Sequence, residues 1–450
     1  MILRFILKNF LSFKESTEFN AFPSGIKSKS HHKKEVDGIE ILKAAAIYGA
    51  NGAGKSNFVR GLKFLQKSIE SGKLASDKIS FRLDQSYFDE EPTKIDVEFF
   101  YSGTFFYYEI EFQDNEILHE ILWKNSNKKK PTLIFKRGLD KSKVKVKLGE
   151  DYSPTEKDKM WVTFLEEEVI KNNSLVISSS KIHKIINDAL KVFIWFTKHL
   201  IIISPKSHIR GLPIKLFKEK KFQNYINKTL CSLDTGVKQI NIKKVSLDTF
   251  FGEDDKEKIQ DIKRRIEEKI EQKREGFLEL GTSVGNVDVE KDGEDYFAYK
   301  IEFIHKGASF KNKESLNFDV PEESEGTQRL LDLLPMTYGL IHENRVYVID
   351  EIERSIHPIL IKELLTKILS NDLSGQLIFT THESILLDLE IFRQDEIWFA
   401  EKDNLGATSL YPLSDFKARF DLDVRKGYLN GRFGAIPFLG DLKALRLDKV

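Results

Sequence analysis

Gly49-Ala50-Asn51-Gly52-Ala53-Gly54-Lys55-Ser56 fits the pattern G-x-x-x-x-G-K-[ST] at every fixed position. Glycines there let backbone N–H groups curl around phosphate oxygens, and a helix N-terminus behind them adds partial positive charge. In such a loop Lys55 reaches the β- and γ-phosphates and Ser56 ligates Mg²⁺. With Asn57, this stretch supplies the candidate nucleotide-binding set Gly49, Asn51, Gly52, Ala53, Gly54, Lys55, Ser56 and Asn57. The flanks suit the chemistry. Ala44 to Tyr48 is apolar and short enough for a buried strand, and Phe58, Leu62 and Leu65 recur at i, i+4 and i+7 for a following helix.

A second group of residues lies far downstream. Arg345-Val-Tyr-Val-Ile349 is an apolar run ending in Asp350-Glu351. At a strand tip Asp350 can support Mg²⁺, and Glu351, facing another way, can polarise an attacking water. Gln376-Leu-Ile-Phe-Thr-Thr-His382 is another apolar strand candidate, and a histidine at its end can sense a γ-phosphate. Ser324-Glu-Gly326-Thr-Gln-Arg329 precedes the helix-like run Leu330-Leu-Asp-Leu-Leu334. Its Ser and Gly can either cap that helix or donate to a phosphate.

The chain that must position these residues has 450 residues, 40% of them hydrophobic, enough for two or three domains with sizeable cores. Its 71 basic and 70 acidic residues leave a net charge of +1, so no global field draws it to nucleic acid and any such contact is local. A single cysteine, Cys231, excludes an intramolecular disulfide and a cysteine-built zinc site, and reads as a minor packing residue. Met1 to Lys8 is apolar but broken by charge, a strand rather than a signal peptide. No apolar window approaches the ~18 residues of a membrane span, so a cytoplasmic protein with no membrane partner is expected.

Ile2, Phe5, Leu7, Phe10 and Phe13 alternate as a β-rich edge, and Ser24 to Asp37, including His31-His32, reads as a solvated loop. From Phe81 to Glu150, aromatic and β-branched runs punctuated by Ser102-Gly103 and Asp114-Asn115 predict antiparallel hairpins. Residues of about 155 to 275 turn helical and charged. Ile259, Ile262, Ile266 and Ile270 there form a stripe one residue wide, as on a solvated helix or helical arm. The expected organisation is an N-terminal lobe over 1–150, a mostly helical insertion over 151–280 and a C-terminal lobe over 281–450.

The order phosphate loop, Ser-x-Gly helix start, Asp-Glu strand and strand-end His resembles the ABC-type ATPase head, in the branch holding the SMC, RecF and OLD proteins. The resemblance implies an α/β fold, a mixed sheet with the phosphate loop beside an antiparallel β subdomain, with ATP and Mg²⁺ as cofactors. It implies that Ser56 and Asp350 hold the metal, that Glu351 is the catalytic carboxylate and His382 the switch. Ser324 and Gly326 would act in trans, so that ATP joins the heads of a homodimer or higher oligomer. Arg354 to His357 fall at the D-loop, with His357 where the family has Asp, and Ser-Glu-Gly-Thr-Gln departs from the usual Leu-Ser-Gly-Gly-Gln. Gln85 and Gln113 are candidates for the Q-loop glutamine. About 295 residues separate Lys55 from Asp350, so the excess over a minimal core must be an inserted module, and without sustained heptads a compact helical arm is expected.

Asp395 to Lys402 and Lys426 to Pro437, with Lys8 to Phe13, look like the AAA-labelled ATPases of the RloA and AbiL type. Those are associated with abortive infection beside a separately encoded nuclease-like protein. The resemblance therefore implies an ATPase that senses or regulates such an effector in antiphage defence; a RecF-like DNA-repair or DNA-maintenance ATPase, with nucleic acid as partner, is the rival. Only 68 residues follow His382, too short for a fused Toprim nuclease, and Asp388, Glu390, Asp395 and Glu396 read as flanks of the strand-like Ile397-Trp-Phe399. Gly427, Gly431 and Gly434 with Arg432 form either a basic loop against a partner or phosphate, or a packing turn.

Overall fold

The computed structural model describes residues 1–75, 79–81, 83–84, 91–126, 129–140, 143–152, 155–205, 208–233, 235–252, 255–271, 276–306, 315–416 and 423–435. The fold is mixed α/β, and contacts divide it into two compact units. Unit 1 comprises Met1–Pro205, Leu340–Glu353 and Pro358–Val450; unit 2 comprises Lys206–Gly339 and Arg354–His357. Compactness thus divides the chain elsewhere than the composition shifts near 150 and 280 do.

In chain order the first strands are β1 Ile2–Lys8, β2 Thr17–Asn20, β3 Lys33–Val36, β4 Ile39–Leu42 and β5 Ala44–Tyr48. Helix α1, Lys55–Ser71, follows. Next come β6 Thr93–Tyr101, β7 Thr104–Gln113, β8 Glu116–Ser126, β9 Lys129–Asp140, β10 Lys143–Leu148 and β11 Leu200–Ile203. Unit 2 contributes β12 Val237–Ser246, β13 Phe277–Thr282, β14 Gly285–Asp292, β15 Asp295–Lys306 and β16 Ser315–Asp319. The chain returns to unit 1 with β17 Val346–Ile349, β18 Gln376–Thr381, β19 Ile397–Lys402 and β20 Thr408–Pro412.

The site sheet of unit 1 runs β11-β17-β18-β5-β19-β20, parallel except for the final antiparallel pair. Every residue of β5, β17 and β18 is buried, as expected of parallel strands covered on both faces, which is why they read as unbroken apolar runs. A second, antiparallel sheet runs β10-β9-β8-β7-β6-β1-β2. Strand β1 lies inside it rather than at its edge. The hairpins expected between Phe81 and Glu150 form here, and Ser102-Gly103 and Asp114-Asn115 all take positive φ, the requirement of tight two-residue turns. Helix α1 buries Phe58, Val59, Leu62, Leu65 and Ile69; the Phe58 ring meets Phe5 and Phe19 edge-on, each at 5.3 Å.

Unit 2 has an antiparallel sheet, β12-β15-β14-β13 with β16 on β15. Here one expectation fails. Ile259, Ile262 and Ile266 of the helix Lys256–Glu271 are buried against Leu247, Leu278, Val287, Val289 and Ala298, and only Ile270 is exposed. A stripe one residue wide suffices because the sheet supplies the rest of the core. Ser24 to Asp37 is also not simply a loop: Ser30–His32 is a 3-10 turn and β3 pairs with β4.

Candidate nucleotide site

The loop between β5 and α1 bends through Gly52 (φ 80°) and Gly54 (φ 105°), conformations that side chains disfavour. It delivers Lys55 as the first helical residue. The Lys55 side chain is buried, and its ammonium donates to the carbonyl oxygens of Gly49 (2.6 Å) and Ala50 (3.0 Å). Burial pulls its pKa below the usual lysine range, while the charges of Glu353, Asp350 and Glu351 push it back up. A cation thus stands at the phosphate loop in a field of nearby carboxylates.

Strand β18 lies between β5 and β17, so the phosphate loop and the carboxylate strand are not neighbours. Thr380 on β18 braces the carboxylate end. Its hydroxyl donates to Asp350 Oδ1 at 2.6 Å and accepts from the Glu351 N–H at 2.9 Å. The Ser56 hydroxyl donates to the same Asp350 oxygen at 3.1 Å. A hydroxyl and a carboxylate converging on one point are the hard oxygen donors that suit Mg²⁺, so the residues present fit that ion. The Asp350 N–H donates to Ile203 of β11, extending the sheet pairing past the end of β17. Glu351, the next residue, takes φ 51°, a left-handed conformation that costs a non-glycine residue roughly 1–2 kcal/mol.

His382 follows β18. Its backbone N–H donates to Glu353 Oε1 at 2.9 Å, and its ring Nδ1 lies 2.7 Å from the same oxygen. Lys55, Ser56, Asp350, Glu351 and His382 therefore all belong to unit 1, on the loop and strand ends expected for them. Ser324 and Gly326 belong to unit 2, at the start of the helix Glu325–His342. The Ser324 hydroxyl accepts from the Thr327 N–H at 3.1 Å, the capping arrangement. In the same unit Ser355, at φ 58°, bonds Glu325 at 3.3 Å, which ties the D-loop position to this helix start. Gln113 ends β7, and Gln85 lies outside the described residues.

Several contributors were not anticipated. Ser12 Oγ accepts from Asn57 Nδ2 at 2.8 Å and lies 2.8 Å from Thr408 Oγ1, which is 2.9 Å from the Ala53 carbonyl oxygen, so β20 and the first turn of the chain buttress the loop. Thr380 carries a signal only in hindsight, as a polar residue at the end of an apolar run, and Glu353 carries none of its own in the charged stretch Asp350 to Arg354. His32 corrects the solvated reading: it is buried, 2.9 Å from both oxygens of buried Glu396, whose pKa is raised by burial. Asp395 is buried too, paired with Arg393 at 2.7 Å and accepting from Ser24. Strand-flanking carboxylates here are structural. Cys231 is exposed. Of the two readings for the C-terminal glycines, the packing turn is realised: a Cβ on Gly427 would stand 2.8 Å from the Phe433 ring, and Gly434 takes φ 67° against Tyr411 and Glu401. Pro437 lies outside the described residues.

No helix among the described residues is long and apolar enough to cross a membrane. No curated protein matches the chain. Among solved structures it is similar to the SMC head domain from Thermotoga maritima, at 13% identity over 91% of this chain and 98% of that one, with a TM-score of 0.35. It is also similar to an SmcHead bound to the C-winged helix domain of ScpA, at 12% identity over 93% and 99% of the two chains, TM-score 0.42. A third is an Smc head domain with an extended coiled coil, bound to the C-terminal domain of ScpA derived from Pyrococcus furiosus: 13% identity, 96% and 99% coverage, TM-score 0.36. A family model described as "AAA domain, putative AbiEii toxin, Type IV TA system" matches residues 44–154 and 203–388, most of the chain and every nucleotide-site motif described above. The protein belongs to this AAA-domain family of the AbiEii type.

Proposed function

We propose that this chain is a Mg²⁺-dependent ATP hydrolase. The observation that carries the reading is the convergence of the Ser56 and Thr380 hydroxyls on one Asp350 oxygen, beside a phosphate loop with a buried lysine. Gly49 to Asn57 bind the phosphates through backbone N–H groups and Lys55. Ser56 and Asp350 hold the metal, which when bound neutralises phosphate charge and orients the γ-phosphoryl group. Glu351 orients and deprotonates the attacking water, and His382 monitors the γ-phosphate end of the site.

Two heads pair around nucleotide, with Ser324 and Gly326 of one completing the site of another, and the paired state gates a separately encoded, nuclease-like effector in antiphage defence. The resemblance to RloA- and AbiL-type ATPases and the AbiEii wording of the matched family support this role. The cytoplasm is the compartment in which such a partner would be met. Replacing the catalytic carboxylate tests the chemistry: Glu351→Gln is expected to bind ATP as wild type does while turnover falls roughly 10²–10⁴-fold. Wild-type hydrolysis by that variant would remove Glu351 from the mechanism. Paired heads predict that the ATP-trapped variant sediments as a larger species than the nucleotide-free protein.

One observation supports a second reading, a DNA-maintenance ATPase. Lys221, Lys228 and Lys238 are all exposed on unit 2, along the helix Lys220–Cys231 and strand β12, which pack together. ATP-dependent binding to duplex DNA with a steep salt slope would favour it over effector control.

A further inference from the structure

Glu353 is almost fully buried, at 4% exposure, yet among the described residues its one hydrogen bond comes from the His382 backbone N–H, and its Oε2 has no partner. A buried carboxylate so sparsely satisfied is costly to keep. Two nearby donors feel its charge and neither takes the free oxygen. The Lys55 ammonium is committed to the Gly49 and Ala50 carbonyls. The hydroxyl of Tyr48, the last residue of β5, is buried with no hydrogen-bond partner among the described residues. What Glu353 does hold is His382, through a hydrogen bond from its backbone N–H and an ion-pair contact with its ring.

The ring contact fixes a chemical state. With Nδ1 at 2.7 Å from a carboxylate oxygen, a proton on that nitrogen is attracted by the negative charge, whereas a bare lone pair is repelled by it. We propose that Glu353 is the positioning residue for His382: it holds the proton on Nδ1 and sets the ring, so that the histidine meets the nucleotide through Nε2 alone. This rests on the hydrolase reading for its purpose, but not for its measurement.

The experiment uses full-length protein labelled with ¹⁵N-histidine, without nucleotide, the His382 resonances being assigned by their loss in His382→Gln. Wild type is expected to carry its proton on Nδ1. Glu353→Ala is expected to shift the ring toward the Nε2–H form, and Glu353→Gln, whose amide oxygen accepts the same N–H, to keep it on Nδ1. In steady-state assays Glu353→Ala should lose at least ~10-fold in kcat while binding ATP within about twofold of wild type, and Glu353→Gln should recover most of kcat. A wild-type ring protonated on Nε2 overturns the proposal, as does a folded Glu353→Ala with an unshifted ring or unchanged kcat. If Glu353→Ala does not fold, the wild-type and Glu353→Gln spectra decide. If wild type does not hydrolyse ATP, the hydrolase reading falls and the tautomer alone decides this one.

Discussion

Gly54 and Thr408 approach so closely that a Cβ on the glycine would stand 2.2 Å from the threonine hydroxyl oxygen and 2.7 Å from its methyl. The phosphate loop is thus pressed against β20, and its glycines differ in what they tolerate. Gly52, at φ 80°, has open space around it, whereas Gly54, at φ 105°, meets Thr408 and Ser12. Gly52→Ala should therefore cost only backbone strain, roughly 1–2 kcal/mol. Gly54→Ala adds a collision and should lower the melting temperature further and weaken ATP binding more than tenfold, and Thr408→Ala in that background should recover part of the stability. Equal losses in the two glycine variants would show that Thr408 does not buttress the loop.

Asp96 on β6 is placed to oppose the fold at neutral pH. Burial, and the Glu109 carboxylate directly across on β7, push its pKa up to about 7, and the neighbouring Lys94 only partly offsets them. Among the described residues its buried Oδ1 has no hydrogen-bond partner. The folded chain therefore keeps a proton that the unfolded chain gives up above about pH 4, so this group's contribution to stability falls as pH rises from 4 to 7 and is level above that. Asp96→Asn, neutral at every pH, is expected to be more stable than wild type at pH 8 by about 1–3 kcal/mol in urea melts, with the gain shrinking toward zero near pH 4. A pH-independent difference would refute the assignment.

Ile266 and Ile270 share one helix face but not one environment. The first is fully buried in the unit 2 core and the second is 41% exposed. Ile266→Ala should destabilise by about 2–4 kcal/mol and Ile270→Ala by less than about 1 kcal/mol. Hydrogen exchange in β13 and β14 reports the same contrast locally, since loss of Ile266 should raise exchange there. Equal, small effects would return this helix to the solvated arm expected from its charge pattern.

Legibility in the sequence followed the distance between partners. The phosphate loop could be read because its chemistry is contiguous, and β5, β17 and β18 because strands buried on both faces keep an unbroken apolar pattern. The tight turns at Ser102-Gly103 and Asp114-Asn115 announced themselves by residue type. What stayed hidden was made by pairs remote in the chain. His32 looked solvated because Glu396, which buries it, lies 364 residues away. Thr408, which braces the loop through Ala53, carries no pattern of its own. The isoleucine stripe looked too narrow for a core because its width gives no sign of the sheet that completes it.

Strand β5 has as its two sheet neighbours β18 and β19, both encoded after residue 375. The strand that carries the phosphate loop leaves the ribosome before either partner, and both partners arrive more than 300 residues later. At ~5–20 residues per second it stays unpaired for roughly 15–65 seconds of synthesis. An apolar strand exposed that long is a natural client for chaperones, and a chain truncated before β18 has no frame on which to hold a nucleotide. Nucleotide binding in the cell therefore certifies that the polypeptide has been made at least as far as β18.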